Sequence, residues 1–378
     1  MKLNYGMIGG GNGAFIGDVH RRGAFLGGYA DLTCGCFTRN PEKNREAAEQ
    51  WGVPDKTRVY ANYVEMAEGE AEREDGIDFV SVTTPNDTHY VIAKTFLEHG
   101  IHVICDKPVT STVEQAKDLQ RIARERNLCF GVTYSYFGYA MVHQAREIID
   151  SGKIGEIVYV TTEYPQDWLL LNLRDEEARK KMWRIDPERA NGSLCTVDIG
   201  THLEALLHAA TGLEIRKVLA RFDYTVDGLP LETNSNVMLQ LSNGASGSLW
   251  SSIVAVGHDA DVRIRIYGTE GSLEWYHGKA GLLKLARLGE PVQYLTMNRD
   301  YNAGESLSMS HLPAGHPEGY YEAFGNIYEL FCKDVIARKN GASGRQYTYP
   351  DIEYGIQGVR FVDACLESNA NGNVWVEL

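Results

Sequence analysis

No run of about 20 apolar residues occurs in this 378-residue chain, so nothing in it reads as a membrane-spanning helix. Its longest charge-free stretch, Thr233 to His258, is broken up by Ser, Asn and Gly. Basic charge is short as well: 37 Lys and Arg against 51 Asp and Glu leave a formal charge of −14, and no Lys/Arg-rich run offsets it. Nucleic acid is therefore not an expected partner, because duplex binding needs a concentrated basic face to displace counterions. Cysteine is odd in number, and Cys34, Cys36, Cys105, Cys129, Cys195, Cys332 and Cys365 have mostly apolar neighbours. That usage suits buried thiols in a reducing cytoplasm better than a disulfide framework. Only Lys2 precedes an apolar strand that runs straight into Gly9, leaving no room for a signal peptide. The expectation is a cytoplasmic protein whose mature chain starts here. Internal repeats, low-complexity linkers and a metal-ligand set are not evident.

Apolar residues make up 43% of the chain and charged residues 23%, which is ordinary globular composition. At roughly 100–200 residues per domain, the length favours two domains. In the first third, Tyr5–Ile8, Leu32–Phe37, Phe79–Thr83, His102–Cys105 and Cys129–Val132 read as strands buried on both faces. Pro41–Trp51, His89–His99 and Val113–Arg126 lie between them and read as helices, with Ser111 and Glu114 as a capping box for the last. Strand and helix in alternation predict a parallel, doubly wound α/β sheet over residues 1–132. Beyond it the texture changes. After a helix at Ala140–Asp150, the segments Glu156–Tyr164, Val218–Val226, Asn236–Leu241, Gly247–Val254, Val262–Tyr267 and Leu282–Leu288 read as strands, and Val197–Thr211 and Tyr320–Arg338 as helices. Residues 133–378 are thus expected to form an α/β domain on an open, mostly antiparallel sheet, with Asn243-Gly244 as a hairpin turn.

Directly after the first strand, Gly9-Gly10-Gly11-Asn12-Gly13-Ala14 fits G-x-G-x-x-[GA] through Gly9, Gly11 and Ala14. The first glycine serves a tight turn, the second lets backbone approach a pyrophosphate, and the small third residue lets helix and strand pack closely. Its place between a strand and a helix is the context such a motif needs. An acidic residue usually ends the second strand of an NAD fold and holds the ribose hydroxyls. Here that position reads Phe37-Thr38-Arg39, a hydroxyl and a guanidinium that accept either a 2′-phosphate or a bare ribose and lean slightly towards NADP without deciding; the overall expectation is NAD, with NADP left open. The pair Cys34 and Cys36 would share one face of that strand as core thiols.

Two further groups carry chemistry. Asp106-Lys107-Pro108 ends a predicted parallel strand, where ligands of open α/β sheets bind, and an amine there can exchange a proton with a substrate hydroxyl. Asp198-x-x-x-His202, after Asn191-Gly192-Ser193, puts a carboxylate and an imidazole on one helix face, able to grip a diol or to orient each other. Zinc would need more ligands, and Glu204 and His208 fall on other faces.

Taken together, the Gly-rich start, Thr84-Pro85-Asn86-x-x-His89, Asp106-Lys107-Pro108 and Asp198-x-x-x-His202 resemble, in order and spacing, the Gfo/Idh/MocA oxidoreductases. The resemblance runs over nearly the whole chain. It implies an N-terminal Rossmann domain that binds NAD(P), and a C-terminal domain whose open sheet supplies the substrate face and homo-oligomer contacts. It implies catalytic roles for Lys107, Asp198 and His202, without saying whether Lys107 or His202 takes the proton; Asp106 stands where the family usually has glutamate. On the cofactor side it implies Gly9, Gly11, Asn12, Phe15 and Ile16 at the pyrophosphate, Thr38 and Arg39 at the adenosine ribose, and Thr84, Asn86, His89, Asp106 and Lys107 along the nicotinamide half.

Tyr134, Tyr136, Gln166, Trp168, Trp183, Arg184 and His316 are the remaining substrate candidates, aromatic faces for a pyranose and polar groups for its hydroxyls. Trp183-Arg184-x-Asp186-Pro187 and His316-Pro317-Glu318-Gly319-Tyr320 resemble the family's branch acting on inositols, levoglucosan and glycosides. The expected activity is hydride transfer between a secondary hydroxyl of a sugar or glycoside, foremost C3 of a glucoside, and the nicotinamide. An inositol dehydrogenase is one alternative, and a redox-neutral enzyme that retains its NAD for glycoside cleavage or hydride exchange is another.

Overall fold

The computed structural model describes residues 2–187, 189–190 and 192–378. Contacts divide the chain into Met1–Gly138 with Tyr320–Ile356, and Tyr139–Gly319 with Gln357–Leu378. The first unit holds five parallel strands, β1 (Leu3–Gly9), β2 (Ala30–Cys36), β3 (Phe79–Thr83), β4 (His102–Cys105) and β5 (Phe130–Val132), in the order β2-β1-β3-β4-β5. All five residues of β3 and all four of β4 are buried, polar Ser81, Thr83 and His102 among them, as strands covered on both faces require. The helix Val113–Glu125 covers the sheet with Ala116, Leu119, Ile122 and Ala123, a 3–4 spacing that makes one apolar stripe. Its cap lies one residue later than expected. Thr112 accepts from the Gln115 amide at 3.2 Å, and the Gln115 side chain reaches back to Ser111 N–H at 3.2 Å, so Ser111 and Glu114 do not form the box.

The division differs from the expected break after residue 132, because the late helix Tyr320–Lys339 belongs with the first unit. Small residues explain its docking on the helix Phe15–Gly27. A Cβ on Gly23 would lie 2.8 Å from Phe324 Cβ, and one on Gly27 would lie 3.1 Å from the Gly325 carbonyl oxygen. No hydrophobic spacing in the sequence announces a contact made by the absence of side chains.

The second unit carries nine strands: β6 (Ile157–Pro165), β7 (Ile215–Asp223), β8 (Asn234–Leu241), β9 (Ser246–Ser252), β10 (Arg263–Gly268), β11 (Gly271–Tyr276), β12 (Leu282–Arg287), β13 (Gln293–Thr296) and β14 (Val376–Glu377). Their order is β13-β12-β11-β10-β6-β9-β8-β7-β14, antiparallel throughout except for β6 with β9. β8 shows why the sheet is open. Ser235, Val237, Leu239 and Leu241 are buried while Asn236, Met238 and Gln240 are exposed, so one face is covered and the other is not. On the uncovered face Arg265 bridges Glu163 and Glu274 at 3.2 and 3.5 Å. The Asn243-Gly244 turn joins β8 to β9 as expected, with Gly244 at φ +89°. Among the described residues no helix is long and apolar enough to cross a membrane.

Candidate active site

Every strand of the first sheet runs the same way, so the segments that follow β1, β3, β4 and β5 all emerge at one edge. After β1 comes the Gly-rich loop, with Gly9, Gly10 and Gly13 at φ +85°, +73° and +83°. A Cβ on Gly9 would lie 2.8 Å from the Thr83 carbonyl oxygen. The close helix–strand approach falls to another pair than the motif suggests. A Cβ on Gly17 would meet Gly10 Cα at 2.2 Å, whereas Ala14 is the N-cap of the helix Phe15–Gly27 and supplies no capping side chain. Trp51 Nε1 donates to the Gly10 carbonyl at 3.1 Å, pinning the loop from the side of β2. First-turn amides without a side-chain cap, beside glycines in the left-handed region, are what a pyrophosphate requires.

Beyond β4 lies Asp106. Its carboxylate accepts from Lys107 N–H at 2.8 Å and from Thr133 Oγ1 at 3.1 Å, and His20 Nε2 stands 3.9 Å away. Burial alone would raise this acid, but the His20 ring and the charges of His20, Lys107 and His89 outweigh it and hold the carboxyl well below the usual range. His20 in turn meets Tyr328 Oη at 2.8 Å and Ser81 Oγ at 3.2 Å, so a buried polar chain runs from the late helix to the end of β4. The Lys107–Pro108 bond is cis.

In the second unit Asp198 lies in a turn of π-helix, Thr196–Gly200, that feeds the α-helix Thr201–Thr211. A single helix over Val197–Thr211 was expected; the wide turn is the difference, and such turns recur at functional sites. Glu232 builds it. Its carboxylate accepts from Ser193 Oγ at 2.6 Å, Thr196 N–H at 2.8 Å and Leu194 N–H at 3.0 Å. Burial pushes the Glu232 acid up against these donors. Arg184 Nε stands 3.7 Å from the Asp198 carboxylate and its guanidinium lies over the Trp183 ring at 4.7 Å. His202 is 8% exposed, with its ring 6.3 Å from that of Tyr164.

Two models of one family cover most of this ground: residues 3–134 match its oxidoreductase, NAD-binding Rossmann fold, and residues 142–274 its C-terminal domain. An uncharacterized oxidoreductase of Bacillus subtilis, YfiI, is 35% identical over 99% of this chain and 96% of its own. The chain belongs to the Gfo/Idh/MocA oxidoreductases. Among solved structures, an inositol dehydrogenase homolog from Azotobacter vinelandii complexed with NAD+ shares 37% identity at a TM-score of 0.95, covering 100% of this chain and 98% of that one. The same homolog with NADH and myo-inositol shares 36% at 0.93, again over 100% and 98%. Levoglucosan dehydrogenase of Pseudarthrobacter phenanthrenivorans is 26% identical over 75% of this chain and 76% of its own.

As a Gfo/Idh/MocA oxidoreductase the protein is an NAD-binding dehydrogenase, and its Gly-rich edge fits that cofactor. Gly11, Asn12, Phe15 and Ile16 line the loop and first helical turn, with Phe15 70% exposed. Thr38 and exposed Arg39 follow β2, and Thr84 and Asn86 follow β3. Of the cofactor candidates His89 stands apart: it is fully buried, and both ring nitrogens are taken by backbone carbonyls. Among the substrate candidates, Tyr134 and Tyr136 are buried at 1% and 3% exposure. Gln166, Trp168, Trp183 and Arg184 are partly exposed, and His316 lies on an exposed turn with its Nδ1 3.0 Å from the Pro313 carbonyl. Asn191, named with the Asp198 segment, lies outside the described residues. All seven cysteines are buried and form no disulfide.

Glu232, His20, Thr133 and Tyr328 escaped the sequence reading. The available signal was a histidine on the buried stripe of the first helix; Glu232 offered none. Glu232→Ala strands three buried donors, so it is expected to cost about 3 kcal/mol or more in urea unfolding, and a loss below about 1 kcal/mol would rule out this bracing role. A second buried acid gives a pH signature. Glu204, on the helix Thr201–Thr211, is pushed up to about 8 chiefly by burial, then by Glu214. Its raised folded-state value means stability is lost as pH rises from the unfolded value towards 8. Glu204→Gln should remove a few kcal/mol of that decline, and an unchanged slope between pH 5 and 8 would contradict it.

Proposed function

We propose that this dehydrogenase oxidises a secondary hydroxyl on a six-membered ring, foremost C3 of a glucoside to give the 3-keto sugar. Bound NAD+ accepts the hydride and leaves as NADH, while the hydroxyl proton passes to the protein. What carries the reading is the place of Lys107: it follows β4 at the sheet edge where the Gly-rich loop follows β1, so the chain's own amine stands on the cofactor side. Lys107 takes the hydroxyl proton. Asp198 and His202 hold ring hydroxyls, the carboxylate as acceptor and the imidazole as donor, with Arg184 Nε 3.7 Å from the Asp198 carboxylate. Trp183, Trp168 and Gln166 shape the substrate side. The uncovered face of the nine-stranded sheet is the surface proposed for a homo-oligomer.

A second reading, inositol oxidation, is favoured by the Azotobacter homolog whose structure contains NADH and myo-inositol. Mass spectrometry of products from glucosides and inositols, with and without added NAD+, separates the two. A ketone lacking two hydrogens, formed in step with NADH, is the expected product. Conversion without net cofactor reduction would replace this reading with the redox-neutral one, and no conversion of either substrate class would overturn it.

A further inference from the structure

His89 opens the helix His89–Glu98 and is completely buried. Its Nδ1 lies 2.8 Å from the Pro108 carbonyl oxygen and its Nε2 lies 2.8 Å from the Thr84 carbonyl oxygen. A carbonyl only accepts, and a neutral imidazole has one N–H. With a single ring proton, one of these contacts would set a nitrogen lone pair against an oxygen lone pair at hydrogen-bond distance, and the two groups would part. Turning the ring over would exchange both nitrogens for C–H groups and leave both carbonyls without their donor. Only the imidazolium satisfies both ends.

On balance the surroundings push the ring below its ordinary value, burial foremost with His20 adding to it, against the Asp106 carboxylate and the two carbonyls; what calls for a second ring proton is therefore the pair of carbonyl contacts. Asp106 is well placed as counter-charge: it is itself held ionised, and its own braces are His20, through Thr133, and the Lys107 amide. The two carbonyls are those of Thr84, which follows β3, and of Pro108, so the ring ties the segment after β3 to the Lys107 turn.

We propose that His89 carries protons on both ring nitrogens throughout turnover, and that this buried imidazolium, balanced by Asp106, is a positioning residue that fixes and electrostatically tunes the Lys107 turn. The proposal rests on Lys107 as the proton acceptor, but its first test does not. Histidine ring nitrogen-15 spectra of the NAD-bound enzyme, which has 11 histidines, should show one ring doubly protonated from about pH 6 to about pH 9. That signal should vanish in His89→Gln. A single-tautomer neutral ring at His89 overturns the proposal. The second test is the rate profile: with the cation gone, the acidic limb of kcat should move up by about one pH unit, and an unmoved limb overturns the tuning of Lys107. Asp106→Asn gives an independent variant in which His89 should lose one ring proton; retention of both overturns the counter-charge role. Failure of the Lys107 reading itself shows separately, as retained turnover in Lys107→Met, with the nitrogen spectrum unaffected.

Discussion

Lys107→Met should lower kcat by roughly 10²–10⁴-fold while NAD+ affinity stays within about twofold. The methionine keeps the length and the apolar stem of lysine but removes the only group at that position able to take a proton. Because Asp106 accepts the Lys107 backbone N–H, a bond the methionine retains, the turn itself should persist. The pH dependence is the sharper readout. Oxidation requires a free, unprotonated lone pair on the acceptor, so the wild-type rate rises with pH and the variant should lose that limb along with its rate. His202→Asn, by contrast, removes a hydroxyl ligand and should lower the rate while the limb remains. Stopped-flow absorbance of NADH and calorimetric titration of NAD+ measure the two halves. A Lys107→Met enzyme within tenfold of wild type would transfer the proton role to His202, and a limb lost only in His202→Asn would do so equally.

The first sheet was legible because its strands are short apolar runs punctuated by helices, a pattern that survives without tertiary knowledge: β3 and β4 match the expected Phe79–Thr83 and His102–Cys105 residue for residue. Elements whose register depends on partners were harder. β13 has four residues and β14 two, each held by a neighbouring strand rather than by its own pattern, and both were missed. The helix Ile352–Ala370 was missed too, although its burial follows Ile356, Val359, Val362 and Cys365. For the candidate site, local motifs marked Lys107, Asp198 and His202, because motifs reside in contiguous residues. Their supports do not: Tyr328 lies 308 positions from the His20 ring it touches, and Glu232 lies 36 from the Thr196 amide it caps. Polar braces of that kind carry no periodicity, so only the fold reveals them. His89 shows the opposite case, where the residue was legible but the contact of both its ring nitrogens with backbone carbonyls was not.

The Gly-rich loop gives the second large effect. Gly17→Ala should weaken NAD+ binding by at least about a hundredfold, equivalent to about 2.7 kcal/mol. The new Cβ would sit 2.2 Å from Gly10 Cα and 3.0 Å from the Gly10 carbonyl carbon and oxygen, all backbone atoms that no rotamer change can move. Either the helix Phe15–Gly27 retreats, taking its first-turn amides from the pyrophosphate, or the loop does. Retreat is resisted on the far side, where Gly23 and Gly27 hold the same helix against Tyr320–Lys339. Gly13→Ala is the control. It also follows β1 and has φ +83°, yet a Cβ there meets nothing within 4 Å, so its cost is left-handed strain of about 1–2 kcal/mol. Calorimetric titration with thermal melting of both variants separates cradle from scaffold: Gly17→Ala should lose more affinity than Gly13→Ala at comparable melting temperature. If Gly17→Ala binds NAD+ within threefold of wild type, the Gly10–Gly17 contact does not set the cradle, and the motif's own third position, Ala14, regains that role.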